Sequence, residues 1–243
     1  MNTNKKTETS PLTRARVAGF LYLLLFPAPF GLIYVPSRLV VPGDAAATAN
    51  HIMASDSLFR LGIVSNLLIS IVNILVVLAL YQLLKPVNKS MASLMVIFLL
   101  AAVPIGMLNE LTQLAALLLL SGADYLKVFT VDQLQALVLL FLNLHKQGLD
   151  IAQIFWGLWL FPMGYLVFRS GFLPRILGVL LMIGCFGYLI QSFAAFLLPN
   201  FKVNIIFFTS WGELLFPLWL VIKGVNVERW EKRAFEFASN PIH

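Results

Sequence analysis

The sequence predicts an all-α fold: a polytopic transmembrane helical bundle of six spans with both termini in the cytosol. The first observation is composition, because 60% of the residues are hydrophobic and 12% are charged, with a mean hydropathy of +0.88. Soluble domains have about 45–50% apolar and about 25% charged residues. The second observation is that the apolar residues fall in blocks of about 20, the length that crosses a bilayer as a helix. The third is that Lys and Arg concentrate in alternate connecting segments.

The N-terminal part of the chain is polar and basic, and residues 1–13 are expected to be disordered in the cytosol. The first predicted span, 17–35, follows two arginines. Its length of about 19 residues, with no small-x-small cleavage site directly after it, favours an uncleaved span over a secretory signal. The span is interrupted by residues that predict a kink or local unwinding, namely Pro27, Pro29 and Gly31.

The second and third spans are predicted over 61–84 and 91–120 and are joined by a tight inside turn, Lys85–Lys89. The outside segment before them contains a VPGD turn, in which Asp44 is placed to cap a short helix.

A second outside segment covers residues 121–150. Thr130 and Gln133 match a capping box in front of the apolar run 134–144. About eleven apolar residues are too few to cross a bilayer. We therefore expect 131–146 to be an interfacial helix leading into the fourth span, with a re-entrant segment or an extension of that span as alternatives.

Three further spans complete a membrane domain over residues 14–225, and they are predicted at 151–168, 176–198 and 205–222. Gly171, in the connection between the first two of these, is suited to end a helix as its C-cap.

The distribution of basic residues predicts the orientation. Twelve of the 17 Lys and Arg residues lie in the segments assigned to the inside, and five lie outside. This positive-inside bias places both termini in the cytosol. The last segment, 226–243, is predicted to be a basic, helical cytosolic tail. Trp230 and Phe235 in this tail favour an interfacial anchor attracted to anionic lipid, with a solvated helix as the alternative.

The candidate site consists of polar side chains in the outer halves of the spans. At about 1.5 Å per residue, Glu110 and Glu213 lie roughly 12–15 Å below the outer interface. A carboxylate at the centre of a bilayer costs roughly 2.5–3.5 kcal/mol on insertion scales, and no Lys, Arg or His lies opposite these two in any predicted span. The amides expected to orient a ligand beside them are Asn66, Asn109, Gln113, Gln153 and Gln191.

These groups predict an outward-opening polar cavity that binds or transports a small solute, ion or lipid. Helix kinks would allow a conformational change, and they are expected at Pro27, Pro29, Pro104, Pro162 and Pro217. The alternative is an accessory or structural membrane protein that binds a partner, in which the polar residues only hydrogen-bond helices together. A third hypothesis is that the protein is a membrane-embedded hydrolase that uses the two glutamates as acid and base. No catalytic residue is assigned, and protein partners stay open.

Several other classes of site are not predicted. Cys185 is the single cysteine, so no intramolecular disulfide forms. His51 and His145 lie in the outside segments and are expected to be exposed or interfacial, because no HExxH-type signature accompanies them. We therefore predict no metal and no cofactor. The net charge of +6 sits at the ends of spans, where it orients the protein in the lipid bilayer, and nucleic acid is not an expected partner.

Several strings of residues carry a resemblance to a known family: LVVPGDAAATANHIMASDSLFRLGI (39–63), LLKPVN (83–88), LLLLSGADYL (117–126), RSGFLPRILGVLL (169–181), GYLIQSFAAFLLPN (187–200), GEL (212–214) and KGV (223–225). With them, the chain resembles the bacterial integral membrane family catalogued as domain of unknown function 4386, from about Arg14 to Val225. The resemblance implies a protein of about six helices in the bacterial inner (plasma) membrane. It implies no activity, cofactor or catalytic residue.

Overall fold

The computed structural model describes residues 10–198 and 203–239, and their regular structure is helical throughout. In chain order, the α-helices of these residues are α1 (Pro11–Leu23), α2 (Val35–Leu39), α3 (Ala45–Ala54), α4 (Asp56–Leu84), α5 (Lys89–Leu119), α6 (Val131–Leu158), α7 (Leu160–Ser170), α8 (Arg175–Leu197), α9 (Ile205–Thr209), α10 (Trp211–Ile222) and α11 (Val227–Ser239). A single 3₁₀ turn, Asp124–Leu126, and one π-helical turn, Phe30–Tyr34, complete the described helices.

Within the described residues, five helical segments are long and apolar enough to cross a membrane: Asp56–Leu84, Lys89–Leu119, Val131–Ser170, Arg175–Leu197 and Ile205–Ile222. These segments correspond to the second through sixth predicted spans. The chain is therefore a multi-pass membrane protein. The first predicted span is not among the five, so the total of six spans and the cytosolic placement of the termini stay predictions.

The segment predicted as the first span is broken. α1 ends at Leu23, a turn follows, and the π-helical turn then leads into α2. Pro27 and Pro29 fall in this interval, and proline removes a backbone donor and clashes with the preceding turn of a helix. The predicted local unwinding is confirmed. The predicted disorder of residues 1–13 is wrong for 11–13, which are helical, and residues 1–9 lie outside the described part.

The interfacial helix predicted over 131–146 is wrong, because α6 continues without a break through this segment and Gly148. The alternative of an extension of the fourth span is the observed one. The predicted capping box does form: the Thr130 backbone N–H donates to Gln133 Oε1 at 2.9 Å, and the Gln133 N–H donates to Thr130 Oγ1 at 3.3 Å. The apolar run was too short to span alone, but it is the first part of a 28-residue helix.

Two other predicted helix ends are confirmed. The Asp44 side chain accepts from the Ala47 N–H at 2.8 Å and so caps α3. Gly171 ends α7 with a φ of 75°, a backbone conformation that glycine adopts without the steric cost of a Cβ.

The chain divides into two compact units. The first unit comprises Met1–Leu23, Ile74–Leu100 and Ile154–His243, and the second comprises Leu24–Asn73 and Ala101–Gln153. The second unit has its own apolar core, drawn from α2 to α6: Val35, Leu39, Ile52, Phe59, Ile63, Ala116, Leu117, Val138 and Leu142.

Helices of the first unit pack closely at glycines. A Cβ added to Gly164 would lie 2.6 Å from the Gly178 carbonyl oxygen, and a Cβ added to Gly212 would lie 2.7 Å from the Leu181 backbone nitrogen. Small residues at these crossings let helix backbones approach, which is how membrane helices gain packing energy without a hydrophobic driving force. The same unit contains α11.

Candidate functional site

Three helices of the second unit bring five buried polar side chains together. Asn66 comes from α4, Asn109, Glu110 and Gln113 come from α5, and His145 comes from α6. Each is 9% exposed or less. On α5 the spacing of three to four residues to Gln113 places these side chains on one face. We call these five residues the Glu110 cluster.

Glu110 is held on one side only. The Asn66 amide Nδ2 donates to Glu110 Oε1 at 3.1 Å, and His145 Nε2 lies 3.9 Å from the same oxygen. The other carboxyl oxygen, Oε2, is buried and has no hydrogen-bond partner in the described part of the chain, and the same holds for Asn66 Oδ1. Asn66 Oδ1 is an acceptor, and Glu110 Oε2 is an acceptor when the carboxyl is ionised. The group therefore presents buried oxygens that a donor or a cation can satisfy.

His145 is not exposed or interfacial, and that prediction is wrong. Its ring is 6% exposed and lies against α5. Nδ1 is 3.2 Å from the Asn109 carbonyl oxygen, and Nε2 is 2.8 Å from Gln113 Nε2. Asn109 Nδ2 in turn donates to the His145 carbonyl oxygen at 2.8 Å. Two amides of α5 thus fix both the ring and the backbone of this residue.

The bonding of His145 fits a neutral imidazole with its proton on Nδ1. In that tautomer Nδ1–H donates to the Asn109 carbonyl oxygen, and Nε2 accepts from the Gln113 amide. Thr112 Oγ1 donates to the Asn109 carbonyl oxygen at 2.6 Å and lies 3.2 Å from His145 Nδ1. Asn109, Gln113 and His145 therefore satisfy one another.

Two glycines pack against the amides of the cluster. A Cβ built on Gly31, in the π-helical turn, would collide with Asn66 Oδ1, and a Cβ built on Gly148, in α6, would collide with Asn109 Oδ1. The absence of a side chain at both positions lets the neighbouring backbone lie directly on the amide. The position of each amide therefore depends on a glycine as well as on its hydrogen bonds.

The remaining predicted site residues have other surroundings. In the first unit, Tyr22 donates to Glu213 Oε2 at 3.4 Å, and the Tyr188 hydroxyl also faces this carboxyl. Glu213 Oε1 is buried without a partner among the described residues, as is Gln153 Oε1 in the second unit. Gln191 Oε1 accepts from the Ile205 N–H at 2.9 Å and so holds the beginning of α9.

Four of the seven predicted site residues are thus brought together in the second unit. Glu213 and Gln191 have partners within the first unit, and Gln153 Oε1 has no hydrogen-bond partner among the described residues. One cavity shared by all seven stays a prediction. Among the described residues, no group of three or more His, Cys, Asp and Glu side chains is arranged to hold a metal ion. Neither glutamate lines the cavity of the first unit that Trp219, Lys223 and Arg229 help to form.

Sequence reasoning missed His145 and Tyr22, although helical spacing contains a signal for both. In α6 the buried residues Val138, Leu142 and His145 follow at intervals of four and three, so a continuous helix places the histidine on the buried face. In α1, Ala18 and Tyr22 are buried four residues apart. The signal for His145 was lost when α6 was divided into two segments.

Comparisons with known proteins agree with the resemblance described above. A family model with the description "Domain of unknown function (DUF4386)" matches residues 17–224. An uncharacterized protein from Archaeoglobus fulgidus is 35% identical over 163 residues, which cover 67% of this chain and 83% of that protein. No solved structure matches the chain. Since the match to the family model extends over most of the chain, the chain belongs to the DUF4386 family.

Proposed function

We propose that this membrane protein binds a small cation or amine at Glu110 and Asn66 and moves it within the membrane domain. The observation that carries the proposal is Glu110, a residue that is 4% exposed and whose carboxyl has one oxygen without a hydrogen-bond partner in the described part of the chain. A buried acceptor without a partner costs several kcal/mol in hydrocarbon. A positively charged or N–H-bearing ligand would remove this cost.

The division of roles within the Glu110 cluster supports ligand contact at two residues. Asn109, Gln113 and His145 bond to one another, so they build the wall of the site and contribute little hydrogen-bonding capacity to a ligand. Glu110 Oε2 and Asn66 Oδ1 supply the unused acceptors. Carboxylate and amide oxygens are the usual ligands of hard cations, and they also accept from ammonium groups. The outward-opening cavity is part of this proposal and would be the route of entry.

The test is thermal unfolding of the purified protein in detergent with NaCl, KCl or NH₄Cl, at an ionic strength held constant with N-methylglucamine chloride. A bound cation at 100 times its Kd stabilises the folded state by about 2.7 kcal/mol. For a chain of this size each kcal/mol raises the Tm by about 2–4 °C. We expect one cation to raise the Tm of the wild type and to leave Glu110→Gln unaffected.

Asp132→Asn is the matched control, because it removes the same charge from an exposed position in α6. This variant should respond like the wild type. A response of Glu110→Gln equal to that of the wild type would contradict the proposal. A second result would also contradict the proposal: no cation changes the Tm of the wild type, and Glu110→Gln has a lower Tm than the wild type in every salt. That is the behaviour of a residue that only packs helices together.

A further inference from the structure

A cavity of about 410 Å³ lies at one end of the first unit, where the α7–α8 turn meets the α10–α11 connection. Its volume falls within the range of about 300–1,000 Å³ that is typical of small-ligand sites. We call it the basic cleft, and its lining residues are Gly171, Phe172, Leu173, Pro174, Trp219, Lys223, Gly224, Val225, Asn226 and Arg229.

The charge of the basic cleft is entirely positive. Lys223 and Arg229 line it, and no acidic residue does. Neither forms an ion pair within residues 10–198 and 203–239. Arg229 Nη1 donates to the Gly171 carbonyl oxygen at 3.0 Å, which anchors the guanidinium at the cleft. A guanidinium has five N–H donors, so this bond leaves donors for an anion.

The position of the basic cleft relates it to the membrane surface. Lys223 directly follows α10, the last part of a segment apolar enough to cross a membrane. On α10 the exposed side chains Leu215, Trp219 and Ile222 are spaced by four and three residues and so form a stripe along one face. Trp219 belongs both to this stripe and to the lining of the cleft. An apolar path therefore leads into a basic site.

We propose that the basic cleft binds the phosphate headgroup of an anionic phospholipid, whose acyl chains lie along the α10 stripe. Arg229 and Lys223 supply the charge and the donors for the phosphate, and Trp219 supplies the amphipathic ring that is enriched at the level of lipid headgroups. A free phosphate ion shares the chemistry of the headgroup, but it makes no use of the apolar stripe. This site is separate from the Glu110 cluster and does not depend on the function proposed for it.

The experiment titrates the purified full-length protein with dioleoylphosphatidylglycerol or dioleoylphosphatidylcholine in mixed micelles and measures lipid binding by native mass spectrometry. Each basic residue near anionic lipid contributes roughly fivefold in affinity. We expect the wild type to prefer the phosphatidylglycerol, and Lys223→Gln and Arg229→Gln each to weaken that lipid about fivefold. Arg229→Lys, which keeps the charge and guards against a loss of folding, should retain most of the binding.

Lys232→Gln is the matched control, since Lys232 is an exposed residue of α11 that does not line the cleft. It should bind like the wild type. If Lys232→Gln lost as much affinity for the phosphatidylglycerol as Lys223→Gln, diffuse surface charge would attract the lipid and the proposal would be wrong. Equal binding of the two lipids by the wild type would also contradict a headgroup site. Inorganic phosphate that displaces the phosphatidylglycerol at an equal concentration would assign the cleft to a free anion instead.

Discussion

At the scale of single residues, the Glu110 cluster combines fixed and unfixed groups. His145 is held through both ring nitrogens and its carbonyl oxygen, whereas Glu110 is held through one carboxyl oxygen. In hydrocarbon each polar atom without a partner costs several kcal/mol. At a position that only packs helices together, an apolar side chain would be more stable than a carboxyl. This contrast between His145, whose polar atoms have partners, and Glu110, which has one carboxyl oxygen without a partner, is the reason that we propose Glu110 as the ligand-contacting residue.

The first prediction concerns Gly148, where an added Cβ would collide with the Asn109 amide. Gly148→Ala must displace this amide and with it the bonds to His145. Overpacking of this kind costs about 1–3 kcal/mol, so the Tm of the purified protein should fall by several degrees. Gly106→Ala in α5 is the control, because a Cβ there meets nothing within 4 Å and alanine in a helix gains about 0.5–1 kcal/mol over glycine. An unchanged or raised Tm of Gly148→Ala would contradict the prediction, because the Asn109 side chain would then move aside without a loss of stability.

The polar residues of the site could be predicted from the sequence, but their pairing could not. Spacing along one helix places Glu110 and Gln113 on one face, and composition shows that both are out of place in a bilayer. The bond between Asn66 and Glu110 joins residues 44 positions apart. No periodicity within a single helix contains that information, since it depends on how α4 and α5 pack.

At the scale of elements, α11 is part of the first unit's packing and not a free anchor. Trp230, which the sequence assigned to a lipid interface, is 8% exposed, and its Nε1 donates to the Leu83 carbonyl oxygen at 2.8 Å. The Arg14 guanidinium lies 5.5 Å from the centre of the same ring. Phe235, by contrast, is 76% exposed. One aromatic residue docks the helix, and the other remains available to lipid.

Docking of α11 can be tested with Trp230→Phe. The variant keeps an aromatic ring but leaves the Leu83 carbonyl oxygen without its donor, which costs about 1–3 kcal/mol when the acceptor is buried. Limited proteolysis should then cut the chain near 223–226 at least several-fold faster than in the wild type. Phe235→Leu, at an exposed position of the same helix, should leave the rate unchanged. Equal rates for Trp230→Phe and the wild type would mean that α11 is held by its other contacts.

The bounds of a helix were predicted well where a single apolar block defined it, and poorly where polar residues separated two apolar runs. The helices α4, α5 and α8 lie within a few residues of their predicted bounds, apart from an added first turn in α4. For α6, the polar residues between two apolar runs suggested two elements, but tertiary packing buries His145 and keeps the helix whole. The ends set by local chemistry, such as the capping box at Thr130, were confirmed because they need no tertiary information.

At the scale of the whole molecule, most of the division into two units has no counterpart in the sequence. Three of its four boundaries fall at 73/74, 100/101 and 153/154, inside α4, α5 and α6, and the fourth falls at 23/24, where α1 ends. Linkers that separate domains are usually exposed and rich in Pro, Gly or polar residues. No such composition marks the three boundaries inside helices, whereas Pro27, Pro29 and Gly31 directly follow the boundary at 23/24. Only the pattern of contacts between distant parts of the chain defines the units. The sequence could therefore predict the membrane class and most helices without predicting this organisation.

The broken segment from α1 to α2 decides the topology of the whole chain. Its apolar length predicts a first span, but it is not among the five segments long and apolar enough as helices. If it crosses the membrane, Ser10 and Asn50 lie on opposite sides; if it does not, they lie on the same side. Single cysteines at these exposed positions, in a Cys185→Ala background, can be tested in intact cells with a membrane-impermeant maleimide.

The positive-inside distribution predicts that Asn50→Cys is labelled in intact cells and that Ser10→Cys is labelled only after lysis. Ser90→Cys and Ser121→Cys are the references. Ser90 lies in the first turn of α5 and Ser121 lies just after its end, so they must lie on opposite sides if that helix spans the membrane. We expect Ser121→Cys to behave like Asn50→Cys and Ser90→Cys like Ser10→Cys. Labelling of Ser10→Cys together with Asn50→Cys would establish five spans, with the two prolines ending α1 before it can cross. The mirror-image pattern would keep six spans and reverse the orientation, which would turn the Glu110 cluster toward the cytosol.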